Sequence, residues 1–126
     1  MNNDDLAAIR TKHYRKYHKM GGNALNCRCK VNKIIKWKNA KKEHEDAKEI
    51  VCHILLSHGK KFICEAVENR SPLRRDIVCL DDNIAYEIET DPKRAARFDG
   101  QPNVRVIKLW KDEPIGTQMW RYLNNG

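Results

Sequence analysis

The sequence predicts an α/β fold, a mixed β-sheet flanked by helices, and three observations predict it. A helical apolar stripe begins near residue 40, three β-rich runs follow between 61 and 90, and a short helix then leads into a fourth strand at 104–110. The order is helix, strand, strand, strand, helix, strand, and a mixed sheet with helices packed against it accommodates that order. A chain of 126 residues suffices for one compact domain with a real core and is too short for two ordinary ones.

Residues 1–39 form a basic N-terminal arm of weak periodicity, with the Gly21-Gly22 breaker and a short helix predicted over 5–19. The segment Val31 to Trp37 suits a strand or a helical turn equally. The α/β domain occupies 40–126. Asn39 can cap its first helix, on which Ala47, Ile50, Val51, Ile54 and Leu55 recur at helical spacing until Gly59 stops it. Lys61 to Val67 is the first strand, closed by Asn69-Arg70-Ser71-Pro72. Asp76 to Leu80 and Ile84 to Thr90 are the second and third, joined by the tight link Asp81-Asp82-Asn83. Asp91-Pro92 starts a short helix that Gly100 ends. Val104 to Trp110 is the fourth strand, and Thr117 caps a last helix containing Met119, Trp120, Tyr122 and Leu123.

The net charge is +8, with 33% charged and 40% hydrophobic residues, which fits a folded chain rather than a disordered one. From Arg10 to Lys42 every charged side chain is Lys or Arg, and no carboxylate interrupts the run. Such a field attracts nucleic acid, the commonest soluble polyanion. The acids cluster later, between Glu43 and Asp91. No apolar stretch approaches the length of a membrane span, and the start Met1-Asn2-Asn3-Asp4-Asp5 lacks a secretory layout. The expected location is therefore the cytoplasm, or the host cytoplasm if the protein is viral, with the five cysteines reduced.

The residues that carry chemistry are Asp76 at the head of the second strand and Glu87 and Glu89 on one face of the third. A tight antiparallel link places Asp76 near Glu87 and Glu89. Three carboxylates on one sheet edge repel each other unless a cation joins them, and oxygen ligands of this kind suit Mg²⁺ or Mn²⁺. An ion held by Asp76 and Glu87 polarises a phosphate oxygen, while Glu89 orients or deprotonates the attacking water.

The segment from Lys42 to Trp110 resembles the PD-(D/E)XK nuclease superfamily. Its phrases Arg74-Arg75-Asp76-Ile77-Val78 and Tyr86-Glu87-Ile88-Glu89-Thr90 are similar to the two halves of that family's motif. Small nucleases and Holliday-junction resolvases of archaea and their viruses look closest. The resemblance implies a restriction-endonuclease-like core, a motif aspartate at Asp76 and a second acidic ligand at Glu87. It also implies an acid from the first helix, for which the helical face selects Glu43, since Glu45 and Asp46 lie off the apolar stripe. The metal set is then Asp76, Glu87 and Glu43. His44 is either a partner to these ligands or an ordinary helix residue, and Glu65 on the first strand is another possible ligand. Two departures stand out: Arg75, not proline, precedes Asp76, and Glu89 occupies the position of the motif lysine. Lys93 or Lys108 could take that lysine's part.

The predicted activity is a Mg²⁺-dependent endodeoxyribonuclease acting on duplex, single-stranded or junction DNA, with a homodimer suggested by the need for two cuts. The phosphate-holding cations are Arg15, Lys16, Lys19, Arg28, Lys30, Lys41, Lys42, Arg74, Arg75, Arg94 and Arg97. The alternatives are a non-catalytic DNA-binding module on the same scaffold, favoured by the missing motif lysine, and an RNA-binding protein. Tyr14, Tyr17 and Trp37 among the cations suit base stacking or anchoring of the arm. His13, His18, Cys27 and Cys29 form a weaker zinc candidate. Cys52, Cys64 and Cys79 read as small core residues, and Trp110 and Trp120 as core or dimer-contact residues.

Overall fold

The computed structural model describes residues 2–21 and 28–125. Helix α1 (Asn3–Tyr14) is capped by the Asn2 side chain, which accepts from the Asp5 N–H at 2.8 Å. It buries no residue of its own and is held by Arg10, whose guanidinium donates to both Asp81 carboxylate oxygens at 3.0 and 2.9 Å. The helix expected over 5–19 stops at Tyr14, because the chain then turns and becomes an edge strand, β1 (Tyr17–Lys19), on the free side of β2. Backbone pairing with Glu68, Val67 and Ala66 outcompetes the weak helical periodicity there.

Helix α2 (Lys42–Ser57) begins at Lys41 without a side-chain cap, so Asn39 does not cap it, and it ends at Gly59 with φ +70°. Its buried face is Glu45, Ala47, Lys48, Val51, Cys52 and Leu55, while Ile50 is 45% exposed. Strands β2 (Phe62–Glu68), β3 (Arg74–Cys79) and β4 (Ile84–Glu89) run antiparallel in sequence. The short helix α3 (Pro92–Ala95) and a 3₁₀ turn (Ala96–Phe98) then carry the chain across to β5 (Val104–Lys108), which pairs parallel with β4. The sheet order is β1-β2-β3-β4-β5, a five-stranded mixed sheet. This is the α/β class the sequence predicts, with the predicted element order from residue 40 onward.

One sheet face packs under α2 and α4 (Ile115–Asn125) through Val51, Leu55, Phe62, Ile77, Tyr86, Ile107 and Met119. The other face carries Tyr17, Ile63, Val78, Leu80 and Ala85. Cys52, Cys64 and Cys79 are core residues as expected. Residues 31–37 adopt no regular structure, yet Ile34 and Ile35 pack on the first cluster and anchor that segment. Helix α4 starts ahead of Thr117, because the Pro114 carbonyl accepts from the Thr117 and Gln118 N–H groups. Buried Gln118 bonds both the N–H and the carbonyl of Lys108, tying α4 to the end of β5. Trp110 is half-buried, whereas Trp120 is 63% exposed and is no core residue. Among the described residues no helix is long and apolar enough to cross a membrane.

Candidate active site

The site forms where strands β3 and β4 part. Their pairing runs from Cys79↔Ile84 to Ile77↔Tyr86 and stops at Asp76 and Glu87. Beyond that point side chains replace the ladder: the Asp76 N–H donates to Glu87 Oε1 at 3.3 Å, and the Ile88 N–H donates to Asp76 Oδ2 at 2.8 Å. Two backbone donors that the split would orphan are thereby satisfied by the two acids themselves. The expected meeting of Asp76 with Glu87 is therefore present. On the next strand Cys64↔Ile77 and Ala66↔Arg75 pair, while Glu65, across from Asp76, leaves the ladder with φ +53°.

Helix α2 closes the site with three residues. Glu45 is 3% exposed and accepts from the Trp37 N–H at 2.7 Å and from Lys48 Nζ at 2.9 Å. His44 bridges two acids, with Nδ1 2.6 Å from Glu45 Oε2 and Nε2 3.3 Å from Asp76 Oδ2. Lys48 is fully buried and also donates to Glu65 Oε1 at 2.6 Å and the Ile35 carbonyl at 2.8 Å.

Burial alone would push Glu45 up, but the Trp37 N–H, the Lys48 ammonium and His44 hold it below the ordinary carboxylate range. Burial alone would pull Lys48 down, and the Glu65 and Glu45 carboxylates reverse that. The Asp76 carboxylate, then Glu45, raise His44 from 6.5 to about 9. Burial, then the Asp76 charge, push Glu87 up to about 8.

The His44 shift is directly measurable. Its folded value lies above its unfolded one, so its protonation stabilises the fold fully below pH 6.5, and that contribution is lost as pH rises through about 9. A ring-resonance NMR titration is expected to place the His44 midpoint near 9. A midpoint below the ordinary value would mean that the bridge to Asp76 does not form.

A cleft of about 270 Å³ opens over these groups. Glu45, Glu65, Asp76 and Glu89 line its floor with His44, and Lys41, Arg74, Arg94 and Arg97 stand around it. Glu89 accepts from the Thr90 N–H at 2.9 Å and lies 3.7 Å from Arg97. Glu87, expected as the second metal ligand, is 4% exposed, is not among the residues lining the cleft, and lies 4.0 Å from Arg75.

Several predicted residues fall elsewhere. Glu43 is exposed and Glu45 is the buried acid that α2 turns into the cleft, because exposed Ile50 does not belong to the buried stripe and the true stripe runs through 45, 48, 52 and 55. Arg75 is 4% exposed and bonded to Glu68 and Gln101, so it is not a free phosphate-binding group. Lys93 and Lys108 are not among the cleft residues. Arg15 and Lys16 line a separate cavity of about 600 Å³ with Arg70 and Asn103, and Lys19, Arg28, Lys30 and Lys42 are exposed away from the cleft lining. Tyr14 donates to the Cys29 carbonyl and Tyr17 to Asn83, so both pack rather than stack on bases. Trp37 is 40% exposed at the cleft edge, where its backbone N–H donates to Glu45. His13 contacts the Leu80 carbonyl and His18 contacts Asn69, at opposite ends of the β2–β3 pair, which separates the zinc candidates; Cys27 lies outside the described residues.

No protein-family model, curated protein or solved structure matches this chain. The donor set itself therefore decides what the cleft can hold. Its carboxylate oxygens form a hard, anionic set suited to Mg²⁺ or Mn²⁺. Glu65 Oε2 is buried with no hydrogen-bond partner among the described residues, an oxygen that a cation would satisfy. By donor type these carboxylates suit a hard divalent ion, while among the described residues no three His, Cys, Asp or Glu side chains stand as a ready-made metal-binding group. Lys48 is the site residue the sequence reading missed: its position between Ala47 and Val51, three residues after Glu45, was the available signal.

Proposed function

We propose that the protein is a divalent-metal-dependent endodeoxyribonuclease of the PD-(D/E)XK type. The observation that carries this reading is a cleft at the point where β3 parts from β4, with Asp76 in its lining, floored by carboxylates and rimmed by arginines. The order α2-β2-β3-β4-α3-β5, three antiparallel strands and then a parallel one, supports a restriction-endonuclease-like core. Glu45 stands where the resemblance implies a first-helix acid.

Asp76 and Glu45, which line the cleft, are the residues that would hold Mg²⁺ or Mn²⁺, and Glu87, whose carboxylate accepts from the Asp76 N–H, would join them only by turning toward the cleft. Such an ion supplies Lewis-acid polarisation of the scissile phosphate and stabilises the charge that develops on it. The chain's own groups do the rest. Arg94, Arg97, Arg74 and Lys41 hold phosphates at the rim, with Arg suited to bidentate contact. Glu89 is the cleft carboxylate placed to orient or deprotonate the attacking water, fixed from behind by the Thr90 and Asp91 N–H groups. Lys48 and His44 set the orientation and charge of Glu45, Glu65 and Asp76.

A cleavage assay on linear, supercoiled, single-stranded and four-way-junction DNA, with Mg²⁺ or Mn²⁺ against EDTA, tests the proposal. Metal-dependent cutting is the expected result. The second reading, a DNA-binding module without catalysis, is favoured by Glu89 standing in the motif lysine's place. Tight DNA binding with no cutting under any divalent ion would select it, and a preference for RNA without cutting would select an RNA-binding protein.

The rim arginines give a separate expectation. Arg94→Ala/Arg97→Ala should weaken DNA binding about equally for all sequences and flatten the log Kd against log salt slope by up to about 2, one phosphate contact each. An unchanged slope would remove these residues from the interface.

A further inference from the structure

We propose that Glu65 is itself an oxygen ligand of the divalent cation in the cleft, reaching it from β2 directly across from Asp76. This rests on the metal-dependent reading above and adds a ligand from an element that the motif residues do not occupy.

The backbone supplies the first argument. In a regular strand residues 64 and 66 share a face. Here Cys64 belongs to the cluster beneath α2 and α4, and Ala66 to the cluster on the opposite face. The break lies at Glu65, whose φ of +53° puts a non-glycine residue in the left-handed region in mid-strand. Such a conformation is strained and persists only where its surroundings impose it. A regular strand would point Glu65 to the same side as Ile63, into the second apolar cluster. The left-handed turn delivers it instead to Lys48, into the lining of the cleft that holds Asp76.

The second argument is the carboxylate. Oε1 is satisfied by Lys48 at 2.6 Å, and pairing with that lysine requires only the one oxygen. Oε2 is buried and has no hydrogen-bond partner among the described residues. Arg74 Nε lies 3.3 Å away on a half-exposed side chain, so it supplies opposite charge without a hydrogen bond. A buried anionic oxygen that accepts from no donor keeps its lone pairs open to a cation, which would offset the cost of its burial.

The test is Mn²⁺ binding, followed by calorimetry and by the EPR signal of free Mn²⁺, for the wild type and for Glu65→Gln, Asp76→Asn and Glu43→Gln. Glu65→Gln and Asp76→Asn are expected to weaken Mn²⁺ binding at least about tenfold, with Glu43→Gln unchanged. A Glu65→Gln protein that binds like the wild type while Asp76→Asn does not would overturn this proposal and leave the metal-dependent reading standing. A wild type that binds no Mn²⁺ would overturn both. Because Glu65→Gln also disturbs the Lys48 network, a measurement on the unmodified protein accompanies it. Substoichiometric Mn²⁺ is expected to broaden the ¹³C carboxyl resonances of Glu65 and Asp76 together, ahead of Glu43 and Glu113. Broadening of Asp76 with Glu65 left sharp would overturn the assignment.

Discussion

Asp76→Ala protein is expected to lose at least about 10³-fold in cleavage rate, about 4 kcal/mol of transition-state stabilisation, while binding DNA as well as or more tightly than the wild type. The two effects have one cause. Asp76 lines the cleft and lies beside Glu87 at the strand split, so its removal takes away a carboxylate of the proposed metal site and also a negative charge where DNA phosphates would lie. Alanine further strips the acceptor of the Ile88 N–H, leaving a buried donor unpaired at about 1–3 kcal/mol of stability. Asp76→Asn keeps an oxygen there and separates the catalytic loss from the structural one. Rate assays on both proteins, with filter binding and thermal melts, check the expectation. Full activity in either variant would remove Asp76 from the site.

Lys48→Met is expected to destabilise the fold by about 3–5 kcal/mol, the largest stability effect among the site residues. The side chain is wholly buried and bonds Glu45, Glu65 and the Ile35 carbonyl. Methionine matches its length but removes the one cation shared by two buried carboxylates, leaving Glu45 with His44 alone and Glu65 with the half-exposed Arg74. The cost should therefore come from the uncompensated charge and not from packing. The combination Lys48→Met/Glu45→Gln/Glu65→Gln should recover much of the loss, since neutral groups of similar shape often replace a buried ionic cluster at little cost. Urea denaturation of the single and triple variants measures both values. A triple variant as unstable as the single one would show that the network matters for its shape rather than its charge.

The sequence by itself determined the α/β class, the order of elements from residue 40 and the neighbourhood of Asp76 with Glu87. Each of these depends on local periodicity and a tight turn. Apolar residues at helical spacing define α2, alternation defines the strands, and the link Asp81-Asp82-Asn83 leaves the β3–β4 pair little freedom of register. Only the tertiary structure decided the rest, because it depends on which groups meet across elements. Ile50 suggested an apolar stripe that would have made Glu43 the helix acid. Packing of α2 on the sheet instead turns Glu45 and Lys48 inward, where each offsets the other's burial. The one basic run of the sequence is divided by the fold: Lys41 reaches the cleft, Arg15 and Lys16 line another cavity, and Arg10 is spent on Asp81. Glu65 is the clearest case. Alternation alone places it with Ile63, and a single left-handed residue, imposed by long-range contacts that no local pattern encodes, moves its carboxylate to the side of Asp76.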